Sequence, residues 1–216
     1  KLRKEMKISD FSIGSSDTNE DYLLYRNMGI NGYVIALADG MGGLSYGDVA
    51  ARLACETAVE YVVNNYKGFH SEIRMLKDAL KAADNAIATK GLAEYKCPMG
   101  TTIALAIVSD YQMFYTWQGN VRIYLKNDNG LSILTSDHIL DVGYGHTRVT
   151  RCIKGTGLRE DIPVRVAKLS CNDKVFFCTD GFYNIAGSML SNKSITEIKK
   201  VIINPDDDVS LIQVNV

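Results

Sequence analysis

Residues 34–43 read VIALADGMGG. Five apolar residues run without a charge, end on Asp39-Gly40, and give way to small residues. That is the pattern of a buried strand that stops abruptly. A strand ending in Asp-Gly sets a carboxylate at the rim of a sheet, held on rigid backbone. VFFCTDG at 175–181 repeats the arrangement and puts Asp180 on a second rim. Glu20-Asp21 in TNED (18–21) and the run Asp206-Asp207-Asp208 before VSLIQV (209–214) add carboxylates beside two more predicted strands. Any one of these is an ordinary turn, since Asp-Gly is a common turn pair. Several rims converging would make an all-oxygen pocket suited to Mg²⁺ or Mn²⁺. The triple Asp run strengthens that expectation, because adjacent carboxylates repel and a bound cation relieves the repulsion.

Working outward, Asn31-Gly32 reads as a hairpin turn between LLYRNMGI (23–30) and YVIALAD (33–39). Beyond the glycines, residues 47 to about 66 read as a helix, with Val49, Leu53, Ala54, Ala58, Tyr61 and Val62 giving apolar coverage on more than one side. A second helix is predicted over about 72–89, with a stripe of Ile73, Leu76, Leu80, Ala83 and Ile87. Lys77, Asp78, Lys81 and Asp84 fall outside that stripe, Ser71 is placed to cap the start, and Gly91 to end it. After Gly100 the pattern turns to short strands: 101–109, 111–119, 121–127 and 130–135, with turn signals at Ser109-Asp110 and Asp128-Asn129-Gly130. They predict an antiparallel meander. A glycine-rich loop over about 136–163, strands at 164–169, 174–180 and 209–216, and a short helix near 194–203 complete the reading. The class is α+β, with two long helices set into a largely antiparallel β protein.

The 216 residues, 46% hydrophobic, suffice for one core and are most simply one domain. A net charge of −1 without a Lys/Arg cluster argues against nucleic acid as the main partner. The five cysteines, at 55, 97, 152, 171 and 178, show no CxxC spacing, which argues against a zinc cluster. Their odd number fits a reducing, cytoplasmic setting with thiols as small core residues. No apolar run approaches the roughly 18 residues of a membrane span, and no signal-peptide pattern is visible. No GxGxxG or GKS/T motif follows the strand ending at Asp39, so a nucleotide loop is not expected.

The ordered set of motifs resembles the metal-dependent protein phosphatases of the PPM type, also called type 2C serine/threonine phosphatases, in their bacterial form. TNED (18–21) is similar to that family's first acidic motif, and ADGMGG (38–43) to its second. Gly100-Thr101-Thr102 matches the Gly-Thr-Thr that opens its central strand, and Asp137-His138 an Asp-His pair before its flap. Thr150-Arg151-Cys152-Ile153 resembles Thr-Arg-Ala-Leu, Thr179-Asp180-Gly181 resembles Ser-Asp-Gly, and Asp207-Asp208-Val209-Ser210 the closing Asp-Asn-x-Thr/Ser. The resemblance implies a four-layer α-β-β-α sandwich, two antiparallel sheets flanked by helices, with a short flap over about 137–163. It implies two Mn²⁺ or Mg²⁺ ions. Asp39 would bridge them, Gly40 would offer its carbonyl, Asp180 and Asp207 would complete one site, and Glu20 and Asp21 would serve the other directly or through water. A hydroxide held between the cations would attack the phosphorus of a phosphoserine or phosphothreonine in a protein, with Asp39 and Asp21 as the catalytic carboxylates. The substrate would be a phosphoprotein of the kind a serine/threonine kinase produces, with neither nucleic acid nor membrane as partner.

Three positions depart from the family's pattern. Ser16 stands where an arginine usually grips the phosphate, so Arg26, Arg122 and Arg151 become the candidates for that role. Asn120 stands where bacterial relatives have an aspartate for a third metal; a neutral amide is a poorer ligand, which predicts a weak or absent third ion. Met41 follows Asp-Gly where many eukaryotic members carry a histidine, leaving protonation of the leaving group to water. His70 and His138 read as surface or structural, His146 as a weak candidate for touching substrate, and Trp117 as core. Two other readings stand beside this one. Cys152 to Arg159 is near the spacing of a cysteine phosphatase but one residue too long and without a preceding histidine. A pseudophosphatase, using the fold as a binding module, is the non-enzymatic alternative.

Overall fold

The computed structural model describes residues 6–42, 44–66, 71–109, 111–144 and 146–216. His70, Gly43 and Asp110 of the expected turn at 109–110 lie outside them. The first sheet runs in the order β1(Lys7–Ile13), β12(Val209–Asn215), β11(Lys174–Cys178), β6(Arg122–Asn127), β7(Gly130–Ile133). The second runs β10(Val164–Lys168), β5(Gln112–Gln118), β4(Thr101–Ser109), β3(Tyr33–Gly40), β2(Asp21–Asn27). Neighbours in both are antiparallel. β8(Ile139–Gly143) and β9(His146–Val149) form a separate hairpin.

The central strands are apolar on both faces because both faces are covered. Along β3, Val34, Ala36 and Ala38 pack with α1(Gly47–Asn65) and α2(Glu72–Lys90), while Ile35 and Leu37 point into the space between the sheets. β4 divides the same way, with Ile103, Leu105 and Ile107 outward and Ala104, Ala106 and Val108 inward. On the other sheet Val175 and Phe177 point inward. Phe176 and Cys178 meet α3(Asp180–Ala186) and α4(Ile195–Val201) on the outside. Period-two alternation between two apolar faces thus yields the expected four layers, helices–sheet–sheet–helices.

Several local expectations need correction. Asn31-Gly32 is not a two-residue hairpin turn: residues 29–31 form a 3₁₀ turn, so the β2–β3 connection is longer. The meander divides between sheets, since β4 and β5 pair in one while β6 and β7 pair in the other. The chain changes sheets at Gly119-Asn120, which brings Asn120 to the end of the sandwich where β3 stops. Ser71 caps α2 as expected, accepting from the Arg74 N–H at 3.5 Å. Gly91 does not end the helix, because the chain continues through a π-helical turn, Gly91–Tyr95. Sequence reasoning missed β1, α3 and, inside the stretch read as a loop, the β8–β9 hairpin. Only Cys55 and Cys178 of the five thiols are buried.

The α2 stripe holds at Leu76, Leu80, Ala83 and Ile87, which are buried, with two exceptions. Ile73 is 44% exposed, whereas Asp84 is buried at 3%. The Asp84 carboxylate accepts the backbone N–H groups of Lys154 (3.1 Å), Gly155 (2.8 Å) and Gly157 (2.8 Å). Gly155 lies at φ +74°, and a Cβ there would come within 2.5 Å of Ala88 on α2, so only glycine fits that close approach. Asp84 therefore pins residues 154–157 to the helix. Next to them Ile153 exchanges backbone hydrogen bonds with Thr101 at the start of β4, at 2.9 and 2.8 Å. Asp84→Ala would leave three backbone donors without their acceptor and is expected to cost on the order of 3 kcal/mol. Ile73→Ala should stay within about 0.5 kcal/mol. Urea denaturation of both variants checks the pair; the opposite ranking would contradict the register.

Candidate metal centre

In an antiparallel sheet the end of one strand lies beside the start of the next. Asp21 opens β2 and Asp39 closes β3, and the two are register partners. Asp180 follows β11, and Asp207-Asp208 precede β12, its neighbour in the other sheet. All four strand ends meet at one end of the sandwich. Thr179 joins the sheets there: its hydroxyl lies 2.9 Å from Asp21 Oδ2, and the Ser210 N–H donates to the same hydroxyl at 3.0 Å.

The result is a cavity of about 330 Å³ lined by carboxylates of Glu20, Asp39, Asp180, Asp207 and Asp208, with Gly40, Thr102 and Asn120 between them. No Lys, Arg or His lines it among the described residues. Gly40 is required by packing, since a Cβ there would collide with the backbone of Gly47 at the start of α1. Thr101 and Thr102 hydroxyls lie 2.7 and 3.3 Å from the Asp39 carbonyl oxygen and fix the end of β3.

The carboxylates divide by task. Asp208 is engaged by the backbone around it: Oδ1 accepts from the Ser15 N–H (2.7 Å) and hydroxyl (2.9 Å), and Oδ2 from the Glu20 N–H (2.6 Å). It anchors the loop that carries Glu20, a positioning task that sequence reasoning missed inside the triple Asp run. Asp206 is exposed, and it does not line the cavity. Asp21 is buried behind the cavity wall rather than in it.

Crowding of like charges in a sheltered site favours the protonated forms. Burial first, then the charges of Asp21 and Asp180 and a hydrogen bond to Asp180, hold the Asp39 carboxyl well above the usual range. Burial raises Asp21 to about 7, with Asp208 and Asp180 adding to it and hydrogen bonds from Ser210 and Thr179 opposing. Burial raises Glu20, helped by Asp208, Asp48 and Asp207, and also Asp207, helped by Asp180.

The donor set fits divalent cations. It is all oxygen, its negative charge has no cationic side chain among the described lining residues to balance it, and one of its buried oxygens, Asn120 Oδ1, has no hydrogen-bond partner, nor does Asp21 Oδ1 behind the wall. No three His, Cys, Asp or Glu side chains among the described residues form a ready-made cage. Asp180 is close enough to raise the proton affinity of Asp39, and a bound cation would take the place of that proton. Mg²⁺-like ions keep much of their water and need few protein ligands each, so an open carboxylate cavity suits them better than a closed cage.

A sequence profile of the protein phosphatase 2C family matches residues 10–207. The chain belongs to the protein phosphatase 2C family. Among its relatives is the serine/threonine phosphatase stp of Listeria welshimeri, 26% identical over 200 residues, which span 79% of this chain and 77% of the relative. Among solved structures, the serine/threonine phosphatase Stp1 of Staphylococcus aureus superposes with a TM-score of 0.82 at 20% identity, covering 100% of this chain and 96% of that one. The catalytic domain of the phosphatase PstP in complex with two manganese ions gives 0.78 at 21% identity, covering 97% of each chain. These structural likenesses establish the four-layer fold.

Against the protein phosphatase 2C pattern, the substitute phosphate ligands fare poorly. Ser16 is exposed, and its hydroxyl bonds the Thr18 carbonyl (2.9 Å) in its own turn. None of Arg26, Arg122 and Arg151 lines the acidic cavity. Arg26 is in β2, five residues beyond Asp21, and its guanidinium donates to the Tyr25 carbonyl (3.1 Å). Arg122 forks onto Asp137 (2.7 Å) and lies 3.6 Å from the Tyr183 ring centroid. Arg151 pairs with Asp161 at 2.6 Å, beside the neighbouring cleft. Asn120 donates from Nδ2 to Asp180 (2.9 Å), occupying a carboxylate oxygen that an aspartate at 120 would leave free.

His138 is structural: it stacks on Trp117 and its Nδ1 accepts the Gly119 N–H at 3.2 Å. Trp117 is core, as expected. His146 is exposed on β9 and lines neither the acidic cavity nor the neighbouring cleft. The cysteine-phosphatase spacing has a different meaning here. The amides after Cys152 do form a cradle, but Asp84 fills it, and burial raises the Cys152 thiol away from the reactive thiolate.

The raised carboxyls have a consequence for stability. Above the ordinary 3.8 of an aspartate and up to about 7, metal-free folded protein holds a proton on Asp21 that the unfolded chain has released. Stability without metal should therefore fall as pH rises through that window. The melting temperature is expected to be lower at about pH 7.5 than at about pH 5.5, and Mn²⁺ should raise it more at the higher pH. Scanning fluorimetry with and without Mn²⁺ checks this; a metal-free protein stabilised by the higher pH and indifferent to Mn²⁺ would contradict it.

Proposed function

We propose that the acidic cavity is the reaction centre of a metal-dependent phosphatase that hydrolyses phosphoserine and phosphothreonine in proteins. The carrying observation is an all-oxygen, cation-free cavity at the sheet ends of a protein phosphatase 2C fold. The chain is a metal-dependent serine/threonine phosphatase by family, and its substrates are phosphoproteins. Mn²⁺ or Mg²⁺ is the cofactor, two ions per chain.

On this reading Asp39, the Gly40 carbonyl, Asp180 and Asp207 would hold one ion, and Asp39 and Glu20 would hold the other, with Asp21 supporting Asp39 from behind. Bound there, the ions supply positive charge opposite the phosphoryl oxygens and acidity to a water molecule. The residues of the chain do the rest. Asp39 and Asp180 offer their carboxylates, Asp208 holds the Glu20 loop, and the Thr101 and Thr102 hydroxyls keep the end of β3 in place. Water oxygen attacks phosphorus, the bond from phosphorus to the seryl or threonyl oxygen breaks, and that oxygen takes a proton, giving alcohol and inorganic phosphate. No Cys, His or Ser lines the cavity among the described residues, and the Thr102 hydroxyl faces the Asp39 carbonyl. That favours direct attack by water over a phosphorylated enzyme. Met41 at the cavity mouth cannot give up a proton, so water supplies it to the leaving oxygen.

The proteins that serine/threonine kinases phosphorylate are the natural substrate pool. Five unpaired thiols suit a reducing compartment, and we place the enzyme in the cytoplasm on that ground. Hydrolysis of p-nitrophenyl phosphate and of a phosphothreonine peptide tests the assignment. Activity should require Mn²⁺ or Mg²⁺, vanish with EDTA, and fall on the order of a hundredfold or more in Asp39→Asn. Turnover that ignores EDTA would overturn the metal centre. Folded protein inert with every divalent ion would instead mark a pseudophosphatase.

A further inference from the structure

Beside the acidic cavity lies a larger cleft of about 920 Å³, and its charge has the opposite sign. Met41 and Val149 line both, so the two adjoin. Arg148, Arg151, Lys154 and Arg159 line the cleft, and no Asp or Glu does. Arg151 is engaged by Asp161 at 2.6 Å, but Arg148, Lys154 and Arg159 have no ion-pair partner among the described residues. All three are exposed, so solvent and ligand reach them. Leu140 on β8, and Leu44, Met99 and Leu158, supply apolar surface between the charges.

The cleft is also built to keep its shape on one side. Lys154 and Gly157 stand on the backbone that the buried Asp84 carboxylate holds, and Ile153 is tied to Thr101 at the base of β4. The opposite wall is the β8–β9 hairpin, which carries Arg148. A charged cleft with one rigid wall, opening onto a reaction centre, selects what enters by the sign of its charge.

We propose that this cleft docks the polypeptide flanking the phosphorylated residue and selects substrates whose flank carries carboxylates. The inference rests on the phosphatase reading of the acidic cavity. Arg148, Lys154 and Arg159 meet the acidic side chains, while the phosphorylated residue passes Met41 and Val149 into the acidic cavity. A basic flank meets like charge and is disfavoured. The cleft also explains how a chain with Ser16 in place of a phosphate-gripping arginine holds its substrate: the grip moves from the phosphate to the flank.

The test uses the full chain with Mn²⁺ and two phosphothreonine peptides of equal length, one flanked by Asp and Glu, the other by Lys. At low salt kcat/KM for the acidic peptide should exceed that for the basic one by about tenfold or more, and the ratio should shrink as salt is raised. Each of Arg148→Gln, Lys154→Gln and Arg159→Gln should lower the ratio, the triple substitution should bring it towards one, and Glu at all three positions should invert it. Comparing two peptides on the same variant removes differences in folded fraction. Turnover of p-nitrophenyl phosphate without any preference for the acidic peptide would overturn the docking proposal and leave the phosphatase standing. If no phosphate ester is hydrolysed, the phosphatase reading fails. Fluorescence anisotropy of the same peptides then decides the cleft: tighter binding of the acidic peptide upholds it as an anionic-peptide site, and equal binding rejects it.

Discussion

The hydrogen bond between Thr179 and Asp21 holds the two sheets together at the end that matters. Its 2.9 Å contact spans the sandwich, linking the strand end that leads to Asp180 with the strand start that faces Asp39. Apolar packing between the sheets fixes their spacing, with Ile35, Leu37, Phe177 and Ile212 fully buried. It does not fix which strand ends meet. The Thr179–Asp21 contact ties two of them directly, because a buried carboxylate is costly unless it is hydrogen-bonded. The other oxygen stays without a partner, beside a cavity that holds five carboxylates. Stability is given up locally to assemble a site, and the three apolar layers around it offset the cost.

The carboxylates that look equivalent in the sequence are not equivalent in the fold. Asp208 accepts three hydrogen bonds that hold Ser15 and the Glu20 backbone in place, whereas its neighbour Asp207 faces the cavity with one oxygen engaged by the Asp208 N–H. Asp84 is a third kind, a buried carboxylate whose ligands are the protein's own amides. A loop that could wrap an anion from outside wraps one from within, and thereby shapes the wall of the basic cleft. Opposite potentials in adjoining cavities follow: negative where cations are needed, positive where a peptide chain must be steered.

The parts of this arrangement that were legible in the sequence are those set by local pattern. The apolar run ending at Asp39, the two long helices and the Ser71 cap all depend on residues within a few positions of one another. The acidic stations were legible only as an ordered set, since each alone is a turn. What was not legible depended on partners far along the chain. Asp84 lies on the polar side of the α2 stripe, and nothing nearby signals that amides some seventy residues later will close on it. Ile73 lies in the stripe but on the first turn of α2, where little packs over it. The division of β4–β5 from β6–β7 turned on Gly119-Asn120, where a sharp bend and a change of sheet look the same in one dimension. The three arginines were reasonable substitutes for Ser16 by chemistry, and each failed by geometry: one in β2 away from the cavity, two already paired with carboxylates.

The central claim is that the sheet ends converge to hold two divalent cations with Asp39 between them. Calorimetric titration of Mn²⁺ into the metal-free protein, and into Asp39→Asn, tests it most directly. About two ions are expected to bind per wild-type chain, with loss or severe weakening of both in the variant, because one carboxylate would serve both sites. Absence of binding to the folded wild-type protein, or two ions bound with unchanged affinity in Asp39→Asn, would contradict it.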